Sequence, residues 1–138
     1  MVKLCSACLL GINCSYDGRS NRNKKLLKLA KNEIIIQVCP EQLGGMSTPR
    51  EPSEQRDGKV FTQSGKDVSS NFNKGAEEVL KIARIYGAKE AILKERSPSC
   101  GSKQIYDGTF SQTRISGQGV TAALLKKNGI NVISEEDL

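Results

Sequence analysis

Five cysteines and the absence of any histidine set the chemical possibilities of this 138-residue chain. Without His there is no Ser-His or Cys-His nucleophile, no Cys2His2 zinc site and no imidazole base. Acid–base work therefore falls to Asp, Glu, Lys, Tyr or Cys. The thiols of Cys5, Cys8, Cys14, Cys39 and Cys100 are odd in number, in a chain long enough to build a core unaided, which argues against a disulfide framework. In a reducing compartment they serve either as small buried hydrophobes or as soft ligands for zinc or an iron–sulfur cluster. Cys8 runs into Leu9-Leu10-Gly11, Cys39 into Pro40 and then Gly44-Gly45, and Cys100 lies between Ser97-Pro98-Ser99 and Gly101. Gly and Pro let the backbone turn sharply and come close to a bulky group. Cys5-Ser6-Ala7-Cys8 is a lone C-x-x-C with no second pair, a weak signal by itself.

The elements that must position these thiols follow from hydrophobic period. Residues 2–8 read as a strand, 22–31 as an amphipathic helix around Leu26, Leu27, Leu29 and Ala30, and 33–39 as a buried β-branched strand. Phe72, Ala76, Val79, Leu80 and Ala83 share one helical face, with Asp67, Ser69 and Ser70 as candidate N-caps and Gly87 as the stop. Residues 88–94 read as a strand, 120–127 as a helix with Val120, Ala123 and Leu124 inward, and 130–133 as a last strand. Residues 40–66 and 97–119 lack period and read as long loops. This order predicts a single α/β domain over 1–138, a mainly parallel sheet with helices on both faces, Rossmann-like. Open parallel sheets collect ligands at the carboxyl ends of their strands. Cys8 ends the first predicted strand, Cys39 ends the second and Cys100 follows the third, so these thiols are expected to converge on one edge. Three thiolates leave one metal position open for substrate or water. Cys5 is expected to pack in the core on the face opposite Cys8, and Cys14, in a loop, is either a fourth ligand or filler.

Composition narrows the classes further. At 37% apolar and 4% aromatic, with no Trp and no long apolar run, the chain predicts neither a membrane span nor an aromatic platform for bases. No basic leader followed by an apolar stretch opens it, and a cytoplasmic location is expected. The net charge of +6 is concentrated in Arg19, Arg22, Lys24, Lys25, Lys28 and Lys31, with no acid between them. That stretch is either a solvated helix face or a field for anions. Tyr16-Asp17-Gly18 is echoed by Tyr106-Asp107-Gly108, as two tight turns or as turns beside the site. Gly117-Gln118-Gly119 either meets a loop's need for glycine or opens a helix whose free N–H groups bind an anion. Ile133-Ser134-Glu135-Glu136-Asp137-Leu138 reads equally as a natural last strand with acidic residues or as an expression scar.

Several motifs at once resemble a bacterial family, long described as a domain of unknown function, that includes the iron–sulfur thiouracil desulfidases. They are Ser6-Ala7-Cys8-Leu9-Leu10-Gly11, Asn13-Cys14-Ser15-Tyr16-Asp17-Gly18, Cys39-Pro40-Glu41-Gln42-Leu43-Gly44-Gly45, Thr48-Pro49-Arg50 and Lys94-Glu95-Arg96-Ser97-Pro98-Ser99-Cys100-Gly101. The likeness continues through 105–110 and 117–122. It implies a 4Fe-4S cluster on Cys8, Cys39 and Cys100, with Glu41 as the catalytic carboxylate, Ser99 as the catalytic serine, and non-redox removal of sulfur from a small thiolated pyrimidine. In that scheme Glu41 activates water and Ser99 relays a proton or holds the ring. Arg50, Lys94 and Ser97 are the expected substrate-binding residues, and Arg50, Lys94 and Arg96 flank the motifs as phosphate ligands for a nucleotide substrate. Ser15 stands where the family often has a basic residue. A monomer with no membrane or nucleic-acid partner is expected. The other classes left open are a non-catalytic cluster- or zinc-binding module and a protein acting on thiolated tRNA bases.

Overall fold

Alternation along the first strand sorts the core. In the computed structural model, which describes residues 2–138, Leu4 and Cys5 of β1 (Val2–Ser6) enter different hydrophobic clusters on opposite faces of one sheet. That sheet also contains β2 (Ile34–Val38), β5 (Glu90–Leu93) and β8 (Asn131–Ser134), all parallel, in the order β2-β1-β5-β8. On the Leu4 face, α3 (Ser69–Tyr86) and α4 (Val120–Lys127) bury Val79, Ala83, Ala122 and Leu125 against Ala91, Leu93 and Val132. On the Cys5 face, α1 (Lys24–Leu29) supplies Leu26 against Ile92. The expected α/β architecture with both faces covered is therefore present. The strand order reverses between β1 and β5, and an open α/β sheet forms its ligand crevice outside the carboxyl ends at such a reversal.

Several expectations need correction. The supposed loop 40–66 contains α2 (Pro40–Leu43) and an antiparallel hairpin, β3 (Ser53–Arg56) with β4 (Lys59–Thr62). Its turn is Asp57-Gly58, both at positive φ, a two-residue hairpin signal that the charged composition obscured. The supposed loop 97–119 contains a second hairpin, β6 (Gln104–Tyr106) with β7 (Arg114–Ser116). Glu54 Oε1 joins the two hairpins by accepting from the N–H groups of Gly108 (3.0 Å) and Phe110 (3.1 Å). The strand β2 lies at the sheet edge, so Ile34 is exposed rather than buried. The inward face of α4 is Thr121, Ala122 and Leu125, with Ala123 exposed. Thr121 tolerates burial because its hydroxyl pairs with Ser99, which a hydropathy pattern cannot foresee. Neither Ser69 nor Ser70 caps α3. The N-cap position is Val68, and Asp67 instead accepts from the Ser69 N–H at 2.9 Å.

Other ambiguities resolve plainly. Gly87 ends α3 in the left-handed conformation, φ 64°. Both Tyr-Asp-Gly segments are Asx turns, with Asp17 accepting from the Arg19 N–H and Asp107 from the Thr109 N–H, each at 3.0 Å. The basic helix α1 buries only Leu26 and turns its lysines to solvent, as a solvated face does. The N–H groups that open α4 are already used: Val120 donates to the Pro98 carbonyl, and Thr121 and Ala122 donate to the Ser99 carbonyl. No free anion site remains at that helix end. The C-terminal segment is integral to the fold, because Ile133 and Ser134 pair with β5 and the acids beyond them hold the loop around Cys100.

Candidate metal centre and active site

Each of three thiols leaves a neighbouring strand by a different device. After β1, a 3-10 turn (Ala7–Leu10) carries Cys8 and closes on Gly11, whose φ of 92° lets its N–H reach the Cys8 carbonyl. This turn brings Cys8 into the same packed cluster as Cys5, whereas strict alternation predicted opposite faces. After β2, Cys39 is the N-cap residue of α2, Pro40 takes the first helical position and Glu41 falls in the first turn. The helix α2 lies against α3 through Gly44 and Gly75, where a Cβ on Gly75 would collide with the Pro40 carbonyl and one on Gly44 with the Asn71 carbonyl. After β5, Ser97 Oγ accepts from the N–H groups of Ser99 (3.1 Å) and Cys100 (3.0 Å). Gly119 packs on the Ser99–Cys100 backbone without room for a side chain.

The Cys100 loop is organised from inside by Glu95, which is 3% exposed. Its Oε1 accepts from the N–H groups of Arg96 (3.2 Å), Ser102 (2.9 Å), Lys103 (3.1 Å) and Gln104 (3.2 Å), and its Oε2 from the Ser102 hydroxyl (2.9 Å). Burial pushes this carboxyl up, but the ring of backbone donors outweighs it and the net shift is downward. Arg96, at a positive φ of 65°, pairs with Glu136. Gln55 Nε2 ties β3 to the same region by donating to the Pro98 (2.8 Å) and Gln118 (2.9 Å) carbonyls.

Burial, hydrogen bonds and neighbouring charges set the acidity of these thiols. The Cys39 thiol is lowered to about 6 by a hydrogen bond from Cys14, with help from the Gln42 backbone and the Arg50 charge. Cys8 is lowered to about 7 by Cys14, then by Asn21 and Ser15. Cys14, lying between two more acidic thiols, is pushed up. Burial pushes Cys100 up to about 12. The Ser6 hydroxyl opposes that shift, and the charges of Cys8, Glu41 and Cys39 add to it. Cys8, Cys39 and Glu41 thus lie near enough to Cys100 for their charges to bear on its thiol. Cys5 is fully buried and pushed up to about 12 by burial, the packing role expected of it.

The remaining sequence candidates are placed as follows. Arg50 Nε donates to Glu41 Oε1 at 3.0 Å, and its other nitrogens donate to the carbonyls of Ser47 and Cys14 and to Thr48 Oγ1. Lys94 Nζ is engaged by Glu135 and the Glu95 carbonyl. The Ser97 hydroxyl shapes the Cys100 loop as described. Ser99 is 1% exposed, its hydroxyl 2.8 Å from Thr121 Oγ1. Sequence reasoning missed Ser6, Asn21, Gln55 and the organising role of Glu95; only Glu95 and Ser6 lay within motifs that carried the resemblance.

The donor set fits an iron–sulfur cluster. It is made of cysteine sulfur alone, it lacks imidazole, and two of its members are already acidic. Among the described residues, no three His, Cys, Asp or Glu side chains gather closely enough to hold a single ion. A cluster asks for a different arrangement, because each thiolate meets its own iron.

Comparison with known proteins gives three results. A family profile described as 2-thiouracil desulfurase matches residues 4–137. The chain is 48% identical over 145 residues to the uncharacterized protein YbbK of Bacillus subtilis (strain 168), covering 98% of this chain and 96% of that one. It is also similar to the solved structure of a 4Fe-4S-dependent thiouracil desulfidase, TudS, with a TM-score of 0.93 and 44% identity over 98% of this chain and 91% of that one.

Proposed function

The chain belongs to the 2-thiouracil desulfurase family, and on that premise we propose that it is an iron–sulfur-dependent desulfidase. It removes sulfur from thiouracil, or from the corresponding nucleoside or nucleotide, by hydrolysis without redox change. The reading is carried by one observation: Cys8, Cys39 and Cys100 follow three adjacent parallel strands, and Glu41 lies close enough to bear on the Cys100 thiol. In this reading Cys8, Cys39 and Cys100 hold a 4Fe-4S cluster. When bound, the cluster supplies a soft Lewis-acidic iron suited to a thiocarbonyl sulfur.

The protein's own groups do the rest. Glu41 takes a proton from water as the water attacks the thiocarbonyl carbon, and Arg50 holds the carboxylate in place for that step. With no His in the chain, a carboxylate is the base suited to neutral pH. The tetrahedral carbon then expels sulfide, so thiouracil and water give uracil and hydrogen sulfide. The proton held by Glu41 goes to the departing sulfide, with Ser99, paired with Thr121 beside Cys100, as its relay. No helix among the described residues is long and apolar enough to cross a membrane. We take the protein to act as a cytoplasmic monomer, where its thiols stay reduced.

Anaerobic purification tests the reading directly. The expected product is brown, carries four irons and four sulfides per chain if the site holds one 4Fe-4S cluster, and releases sulfide from thiouracil. A colourless zinc protein with no sulfide release overturns it.

A further inference from the structure

We infer that Thr121 is a positioning residue: its hydroxyl donates to Ser99 Oγ and so leaves the Ser99 hydrogen free to face the departing sulfide. This rests on the functional reading above and adds to it the residue that fixes the Ser99 hydroxyl.

Ser99 and Thr121 are 1% and 0% exposed, and their hydroxyl oxygens lie 2.8 Å apart. Among the described residues, each hydroxyl has the other as its one hydrogen-bond partner. The two main chains are locked together beside that contact. The Ser99 carbonyl accepts from the N–H groups of Thr121 (2.8 Å) and Ala122 (3.2 Å), and the Pro98 carbonyl accepts from that of Val120 (2.9 Å). From β3, Gln55 Nε2 holds both segments, donating to Pro98 on one (2.8 Å) and to Gln118 on the other (2.9 Å). Gly119 brings them so close that a Cβ there would meet the Ser99 carbonyl carbon at 2.3 Å. With the backbones fixed, what remains to be set is the direction of two O–H bonds. A hydroxyl has one hydrogen to give and two lone pairs to receive. If Ser99 donates to Thr121, its hydrogen is spent on that contact. If Thr121 donates, the Ser99 hydrogen and one lone pair stay available. The relay needs the second arrangement: Ser99 gives its hydrogen to the sulfide and takes the Glu41 proton in its place, while Thr121 keeps its own.

The test uses the full chain with its cluster and thiouracil as substrate, with kcat, KM and iron per chain measured for each variant. Thr121→Val keeps the shape and removes the hydroxyl, Thr121→Ser keeps the hydroxyl, and Ser99→Ala removes its partner. Thr121→Ala replaces the Val variant if that protein folds poorly. In Thr121→Val, iron and KM are expected to be unchanged and kcat to fall by about 10-fold, the order of one neutral hydrogen bond. Thr121→Ser is expected to recover toward wild type. In a Ser99→Ala background, Thr121→Val is expected to add no further loss, because the hydroxyl it acts through is gone. A further loss in that background makes Thr121 a packing residue and overturns the inference. So does an unchanged kcat in Thr121→Val, or a loss of rate matched by a loss of iron. Each of these leaves the desulfidase reading standing, since the wild type still releases sulfide. Full activity in Ser99→Ala overturns the inference and takes the serine out of that reading, whereas a wild-type protein that releases no sulfide removes both.

Discussion

Arg50 Nε donates to Glu41 Oε1 at 3.0 Å, and the two side chains are only 5% and 17% exposed. Nine residues apart in the chain, they meet because α2 turns Glu41 back toward the segment that follows it. A guanidinium holds a carboxylate in a fixed plane, which an ammonium cannot do. Arg50→Lys is therefore expected to keep the cluster but lower turnover on thiouracil by ~100-fold, the cost of a base misplaced by about an ångström. Steady-state sulfide release, normalised to iron content, measures it.

Glu41→Gln keeps the shape and the Arg50 contact but removes the proton acceptor. Turnover is expected to fall by roughly 10²–10⁴-fold, with iron content and visible absorbance unchanged. Wild-type turnover in this variant would exclude the carboxylate from the reaction.

Gly75→Ala tests the contact that seats Cys39 and Glu41. The added methyl meets the Pro40 carbonyl, which is backbone and cannot swing aside. The expected cost is about 1–3 kcal/mol in a denaturant melt, accompanied by reduced iron occupancy because α2 must shift with both residues. A variant with normal stability and full iron would show that α2 has room to move.

Glu95 predicts a pH dependence. Its folded pKa lies below its unfolded value, so its stabilisation is present above the unfolded value of about 4.3 and is lost as pH falls through the lower folded one. Glu95→Gln is expected to be less stable at neutral pH by about 2 kcal/mol, since the charge no longer meets its N–H donors. The gap from wild type should close as the solution is acidified through that window. Chemical denaturation at a series of pH values reads the slope, and a gap that does not narrow would rule out the carboxylate charge as the source.

The thiols are expected to differ in reactivity once the cluster is removed. With iodoacetamide at pH 7, Cys39, lowered to about 6 and partly exposed, should be modified first, followed by Cys8 at about 7. Cys5 and Cys100, each pushed up to about 12 and buried, should be last. Labelling of Cys39 should slow as pH falls below 6, where its thiolate is lost. Peptide mass spectrometry gives the order, and early labelling of Cys100 would contradict the burial that sets it apart.

Much of the scaffold was legible because it is encoded by near neighbours. The run Ile34-Ile35-Ile36, the spacing of Phe72, Ala76, Val79, Leu80 and Ala83, and the glycine stop at Gly87 each act over one or two turns of chain. The hairpins were less visible. Their strands are three or four residues long and rich in charge, and they are held by partners such as Glu54 that no period marks.

By itself the sequence determined the strand–helix order of the parallel sheet, the excluded chemistries and the motifs that set Cys8, Cys39 and Cys100 just past strand ends, because periodicity and turn residues are local properties. Tertiary structure alone decided that the Cys14 carbonyl receives Arg50, that Arg50 also holds Glu41, that the Ser6 hydroxyl meets the Lys94 N–H across 88 residues, and that Glu95 gathers the Cys100 loop. Such polar pairings form only when folding has removed water and brought distant segments together. Each partner then depends on where the other chain segment ends, which no stretch of neighbouring residues records.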